Sequence, residues 1–145
     1  MVLALLAAAH LRGWTESRSS DSGGRAYLKI GDALIRVEVA DEPSEHAREL
    51  SGRTKLEPGW GMLFIFQRPG IYSIWMRGML FPLDNLWIEG NLRVVHIVKD
   101  AQPCPPSEYC PVYTPDTEAL YVLELPAGFL SENGVSVGMM IQLHT

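Results

Sequence analysis

The sequence predicts a mainly β domain, an antiparallel barrel or a jelly-roll-like sandwich, with two short helices at about residues 43–51 and 127–133. Three observations carry this. Short apolar or alternating stretches, roughly eight of them, are separated by Gly, Pro, Asn and Asp. The helical patterns are too few and too short to cross between parallel strands in a doubly wound fold. A Pro-rich stretch, Ala101–Thr117, separates two of the apolar runs and is incompatible with a long helix.

In chain order, Val2–Ala9 is apolar and ends in Ala7-Ala8-Ala9, the small-residue pattern of a signal-peptidase site, although no Lys or Arg precedes it. It is shorter than the roughly 20 apolar residues a bilayer span needs, so no transmembrane segment is expected. Ser, Asp and Gly then dominate up to Gly24, which reads as a linker. The organisation expected is a signal-like segment with a linker over 1–25 and a single domain over 26–145.

Tyr27–Ile30 and Ile35–Val39 read as a hairpin around Gly31-Asp32; Ile35, Val37 and Val39 face the core, and Arg36 and Glu38 face water. Asp41-Glu42-Pro43 opens a helix and Gly52 closes it. Gly61–Phe66 is a buried strand, Arg68-Pro69-Gly70 a turn, and Ile71–Arg77 a strand with Tyr72, Ile74 and Met76 on one face and Ser73, Trp75 and Arg77 on the other. Phe81-Pro82 opens a bend that ends at Asp84. Leu86–Ile88 and Leu92–Val98 form a hairpin around Glu89-Gly90-Asn91, with His96 on an apolar face beside Val94 and Val98. Ala101–Thr117 is expected to be a loop without regular structure. Ala119–Leu125 and Met139–Leu143 complete the strands.

Lys+Arg 12 against Asp+Glu 17 gives a net charge of −5 and no basic cluster, which argues against nucleic acid as a partner. The two cysteines, Cys104 and Cys110 in PCPPSEYCP, read as a structural disulfide and, with the signal-like segment, as an extracytoplasmic protein of the periplasm or cell envelope. Free thiols in a cytoplasmic protein are the alternative. Zinc is disfavoured because no second cysteine pair completes a tetrahedron.

The ordered landmarks VEVAD-x-P at Val37–Pro43, Gly52-Arg53, GMLFIF, IWM, FPLD, VVHIV, PCPP, YVLELPAGF and G-V-x-V-G at Gly134–Gly138 resemble the bacterial and archaeal family called domain of unknown function 192, over Leu28–Leu143. The resemblance implies a barrel- or jelly-roll-like domain, frequently exported, with no established activity. The family's Trp-Met pair falls on Trp75-Met76 and its Pro-Leu-Asp on Pro82-Leu83-Asp84. Where the family carries Lys-Asn-Thr after Trp-Met, this chain has Arg77-Gly78-Met79, and its Gly138 is followed by Met139 rather than Asp.

No nucleophile elbow, zinc-protease helix, P-loop or dinucleotide fingerprint is present, and no cofactor is implied. The preferred reading is a monomeric, non-catalytic β domain that binds a small polar ligand or an envelope component in a groove built from Trp75, Arg77 and Asp84, with Arg53 beside it and Tyr72 at the rim. A carboxylate in apolar surroundings must be paired, so an ion pair of Asp84 with Arg48, Arg53 or Arg77 is the structural alternative. Two other functions compete: a hydrolase-like enzyme using Asp84 and His96 as acid and base, and a protein-interaction domain acting through a strand edge or the Pro-rich loop. A soft-metal site from Met62, Met76, His96 and the thiols is weaker, since Met more often fills cores.

Overall fold

The structure, a computed structural model, describes residues 26–40, 50 and 52–144. The segment 1–25, the helix expected at about 43–51 and Arg48 lie outside these residues. The elements are β1 Tyr27–Ile30, β2 Ala33–Ala40, β3 Trp60–Gly70, β4 Ile74–Trp75, β5 Leu83–Ile88, β6 Val94–Ala101, β7 Val112–Tyr113, β8 Ala119–Pro126, the single-turn helix α1 Phe129–Glu132 and β9 Ile141–His144.

Alternating apolar residues drive seven strands into one sheet, in the order β6-β5-β8-β3-β2-β1-β9, while β4 and β7 pair separately as a small ribbon. The large sheet curls until its two outer strands meet at one end. There Val94 N–H donates to Met139 O at 2.9 Å, Gly138 N–H to Val94 O at 2.8 Å and Ile141 N–H to Leu92 O at 2.9 Å. The result is a half-barrel, in keeping with the barrel-like β fold expected. The sheet is mixed rather than purely antiparallel, because β2 and β3 run parallel. Parallel neighbours need a crossover of about a dozen residues or more, and the connection between Ala40 and Trp60 is long enough to supply one.

Period two sorts the core into two layers. Leu63, Leu86, Ile88, Leu123 and Leu125 point into the curl, where they meet Leu28, Ile35, Leu130 and Ile141. On the other face Met62, Phe64, Leu83, Trp87 and Val122 pack under Ile74, Met76, Met79 and the two cysteines. Strand β5 is buried along its whole length. At Gly61 an added Cβ would lie 2.9 Å from Leu125 Cδ2 and 3.1 Å from Glu124 O, so the β3–β8 approach requires glycine there.

Four local expectations change. β3 continues through Arg68-Pro69-Gly70, which was expected to turn, and its pairing with β8 shifts register between Ile65 and Gly70. The strand expected over Ile71–Arg77 contracts to Ile74–Trp75, and Val112–Tyr113, inside the Pro-rich stretch, pairs with it as β7. β5 starts at Leu83, so Asp84 sits in a strand rather than ending a bend. A register shift between Trp87 and Ile88 moves Val94 into the inner layer and Val95 and Val98 to the outer one, so His96 lies opposite Trp87 instead of beside Val94.

The interior of the curl contains a cavity of about 10 Å³, lined by Tyr121 and the aliphatic side chains of Leu28, Leu63, Ile88, Leu92, Ile141 and Leu143. That volume admits one water at most. The Tyr121 hydroxyl is buried without a hydrogen-bond partner, and burial pushes its pKa up to about 12. A tyrosine whose pKa is raised on folding contributes stability that is complete below its unfolded pKa of about 10 and lost as pH rises through about 12. Tyr121→Phe is therefore expected to leave stability at neutral pH unchanged or raise it by about 1 kcal/mol, and to flatten the loss of stability between about pH 10 and 12. Urea unfolding of both proteins at neutral and alkaline pH checks both outcomes.

Candidate functional site

The ribbon formed by β4 and β7 carries the candidate site. Its strand alternation is the one expected: Ile74 and Met76 are buried, whereas Ser73, Trp75 and Arg77 face outward. Each outward residue has a neighbour from the Pro-rich segment. Ser73 Oγ and Thr114 Oγ1 are hydrogen-bonded at 2.9 Å. Trp75 lies opposite Val112, and Arg77 is bridged to Cys104. Trp75 is 47% exposed and Val112 58% exposed, while the Arg77 guanidinium lies over the indole, 5.3 Å from its centroid. Among the described residues no carboxylate comes within ion-pairing distance of Arg77, unlike Arg53, Lys55 and Arg93. The surface therefore presents hydroxyls, an apolar plate and an unneutralised guanidinium in sequence.

Two backbone clips fix this surface. At one end the β4–β7 pairing joins Ile74 to Tyr113 and Trp75 to Val112. At the other, Cys104 N–H donates to Met76 O at 3.1 Å and Gly78 N–H donates to Cys104 O at 2.9 Å. Between the clips the Cys104–Cys110 disulfide closes the loop, with both cysteines buried and their Cα atoms 5.7 Å apart. The expected disulfide is thus present, and the residues from 104 to 113 form a brace alongside Ile74–Gly78.

Asp84 stands apart from this surface. It is 1% exposed. Its Oδ1 accepts the Asp100 N–H at 2.8 Å and its Oδ2 accepts the Leu130 N–H at 2.9 Å. The first bond holds the end of β6, where Asp100 adopts φ 52. The second caps α1, whose own N-cap, Gly128, has no side chain to offer. Asp84 is satisfied by backbone donors rather than by an ion pair with Arg53 or Arg77, because the strand it occupies turns its carboxylate into the curl.

The other candidates are also engaged. Arg53 makes a two-pronged pair with Glu38, with contacts of 3.1 and 2.8 Å, and hydrogen bonding to Glu38 raises its pKa. Tyr72 stacks on Phe66 with centroids 3.6 Å apart, its hydroxyl donates to Arg68 O, and its carbonyl accepts the Trp87 indole N–H at 2.7 Å. His96 meets the edge of Trp87 at 5.1 Å and approaches Asp116 at 3.5 Å. The period of β5 puts Trp87 and Asp84 on opposite faces, so His96 and Asp84 are separated by the sheet. Met62 and Met76 fill the core, and the thiols suggested as soft-metal ligands are joined to each other.

Sequence reasoning missed Ser73, Val112 and Thr114. The available signal was the alternation of Val112 and Thr114 around Tyr113, hidden by flanking prolines.

Residues 26–143 match the profile of the DUF192 family, described as uncharacterized ACR. A solved structure of a candidate transcription regulator from Sinorhizobium meliloti 1021 is similar at 31% identity and TM-score 0.70, covering 82% of this chain and 92% of that one. A protein of unknown function from Novosphingobium aromaticivorans DSM 12444 is similar at 26% identity and TM-score 0.69, covering 83% and 88%. No curated protein matches.

Asp84→Asn replaces one acceptor oxygen by a donor and leaves one of two buried backbone N–H groups unmatched. A loss of about 2–3 kcal/mol is expected, read as a lower denaturation midpoint, with the near-ultraviolet signal of the native protein retained at low denaturant.

Proposed function

The chain belongs to the DUF192 family, and from that premise we propose that it is a non-catalytic binding domain that takes a small polar ligand or an envelope component on the outward face of the β4–β7 ribbon. One observation carries the reading: Arg77 is held over the half-exposed ring of Trp75 with no carboxylate to neutralise it among the described residues. An indole contacts the face of a guanidinium without using up its N–H donors, which leaves them for a ligand. Single exposed apolar residues need no explanation. Here, however, Trp75 and Val112 are direct cross-strand partners in a ribbon next to the Cys104–Cys110 bridge, and a pre-formed surface loses less entropy when a ligand binds.

A non-catalytic role is supported by the engagement of Asp84 with two backbone donors and by the sheet between it and His96. Arg53 and Tyr72 already have partners and fall outside the proposed contact surface. The disulfide and the apolar Val2–Ala9 stretch support an extracytoplasmic setting, where such a bond persists. Among the described residues no helix is long and apolar enough to cross a membrane.

The test is a thermal-shift screen of small polar compounds against the native protein and Trp75→Ala. Because Trp75 lies at the surface, its removal is expected to cost no more than about 1 kcal/mol of stability while abolishing ligand-induced stabilisation. Equal stabilisation of both proteins by every hit would place binding elsewhere.

A further inference from the structure

Resting on the ribbon reading above, we infer that the ligand is an acidic oligosaccharide, a short chain of sugar rings in which a uronic-acid carboxylate meets Arg77 while a neighbouring ring lies on Trp75. The inference starts from the order of groups along the ribbon. Ser73 and Thr114 are bonded to each other by one hydrogen bond, which leaves unused donor or acceptor capacity on both hydroxyls. Trp75 and Val112 supply an apolar plate, and Arg77 supplies a cation over the indole, 5.3 Å from its centroid. A ligand that satisfies all three must offer hydroxyls, a C–H-rich flat face and an anion in that order. A pyranose chain with a carboxylate has this character.

Length narrows the choice further. Ser73 and Arg77 are four positions apart, so an extended backbone places their Cα atoms about 13 Å apart, and the guanidinium lies back over Trp75, 5.3 Å from the ring centroid. Two adjacent rings place one on the apolar plate and the carboxylate of its neighbour at the guanidinium. The contact groups are side chains on an outward face rather than an open strand edge. An extended peptide, which gains its affinity from main-chain pairing at such an edge, fits this surface less well.

Charge favours an acidic ligand over a neutral one. The chain carries a net charge of −5, yet Arg77 has no carboxylate partner among the described residues. A guanidinium forks onto a carboxylate through two parallel N–H bonds, and its placement over the indole orients that fork. Charges farther from Arg77 than the screening length of about 8 Å are largely screened at physiological salt. A short acid seated directly on Arg77 therefore responds mainly to the guanidinium, whereas a long polyanion extends over more of the negatively charged surface.

The test uses the full chain, trigalacturonate and its methyl ester, titrated by calorimetry against the native protein, Arg77→Gln and Trp75→Ala. The native protein is expected to bind the acid at least about 10-fold more tightly than the ester. Arg77→Gln is expected to erase that preference while keeping the weaker ester binding, and Trp75→Ala to lose both ligands. Equal binding of acid and ester, with loss in Trp75→Ala, overturns the acidic class and leaves the ribbon reading standing. An acid preference that survives Arg77→Gln overturns the assignment of the carboxylate to Arg77. Binding of neither sugar overturns this inference; in that case, hits in the polar-compound screen that depend on Trp75 preserve the ribbon reading and their absence removes it too. A threefold rise in salt is expected to weaken the acid more than the ester.

Discussion

The Cys104–Cys110 bridge joins two points that are already tied to the chain across from them. Cys104 is hydrogen-bonded to the backbone around Met76 and Gly78, and two residues beyond Cys110, Val112 begins the short strand that pairs with Trp75. The bridge therefore closes a small ring whose two attachment points lie along one five-residue stretch, Ile74–Gly78. A loop this short loses about 2 kcal/mol of unfolded-state entropy on cross-linking in the chain-entropy picture. Its local effect is to make both clips act together, because breaking one strains the other. Two-residue pairing such as Ile74–Trp75 with Val112–Tyr113 is marginal by itself. The bridge and the buried side chains of Ile74, Met76 and Met79 beneath it hold that pairing in place.

Support from below comes from the sheet. Trp87, fully buried, donates its indole N–H to the carbonyl of Tyr72, just before the ribbon begins. Asp84, three residues earlier on the same strand, binds the end of β6 and the start of α1 from the opposite face. One strand thus fixes the ribbon on one side of the sheet and a turn and a helix on the other. Asp84 and Trp87 belong to the scaffold, whereas Trp75 and Arg77 face outward on the ribbon, where binding is proposed.

How far the sequence disclosed this depends on the range of the interactions involved. Alternation over Ile71–Arg77 correctly divided Trp75 and Arg77 from Ile74 and Met76, because side-chain direction in a strand is a local property. The disulfide was legible from cysteine spacing in a Pro-rich context. The parallel pairing of β2 with β3 was not, since it depends on the route of a connection. Asp84 is legible as a carboxylate in need of partners, but its partners, two backbone N–H groups at 100 and 130, carry no side-chain signature. Strict period two puts His96 beside both Val94 and Val98, and the register shift in β6 removes Val94 from that face. Val112–Tyr113 is hidden because five prolines in the segment argue against regular structure, although none of them needs to donate in a two-residue pairing.

The disulfide-closed brace holds Trp75 and Arg77 in a fixed, outward-facing arrangement. Hydrogen exchange of the Gly78 and Cys104 amides, measured with the bridge oxidised and then reduced, reads this out. Both amides are expected to exchange slowly in the oxidised protein. On reduction they are expected to accelerate at least about 10-fold, with the amides of β5 and β8 unchanged. Exchange at Gly78 and Cys104 that is equally slow after reduction, or equally fast before it, would show that the bridge does not hold this arrangement.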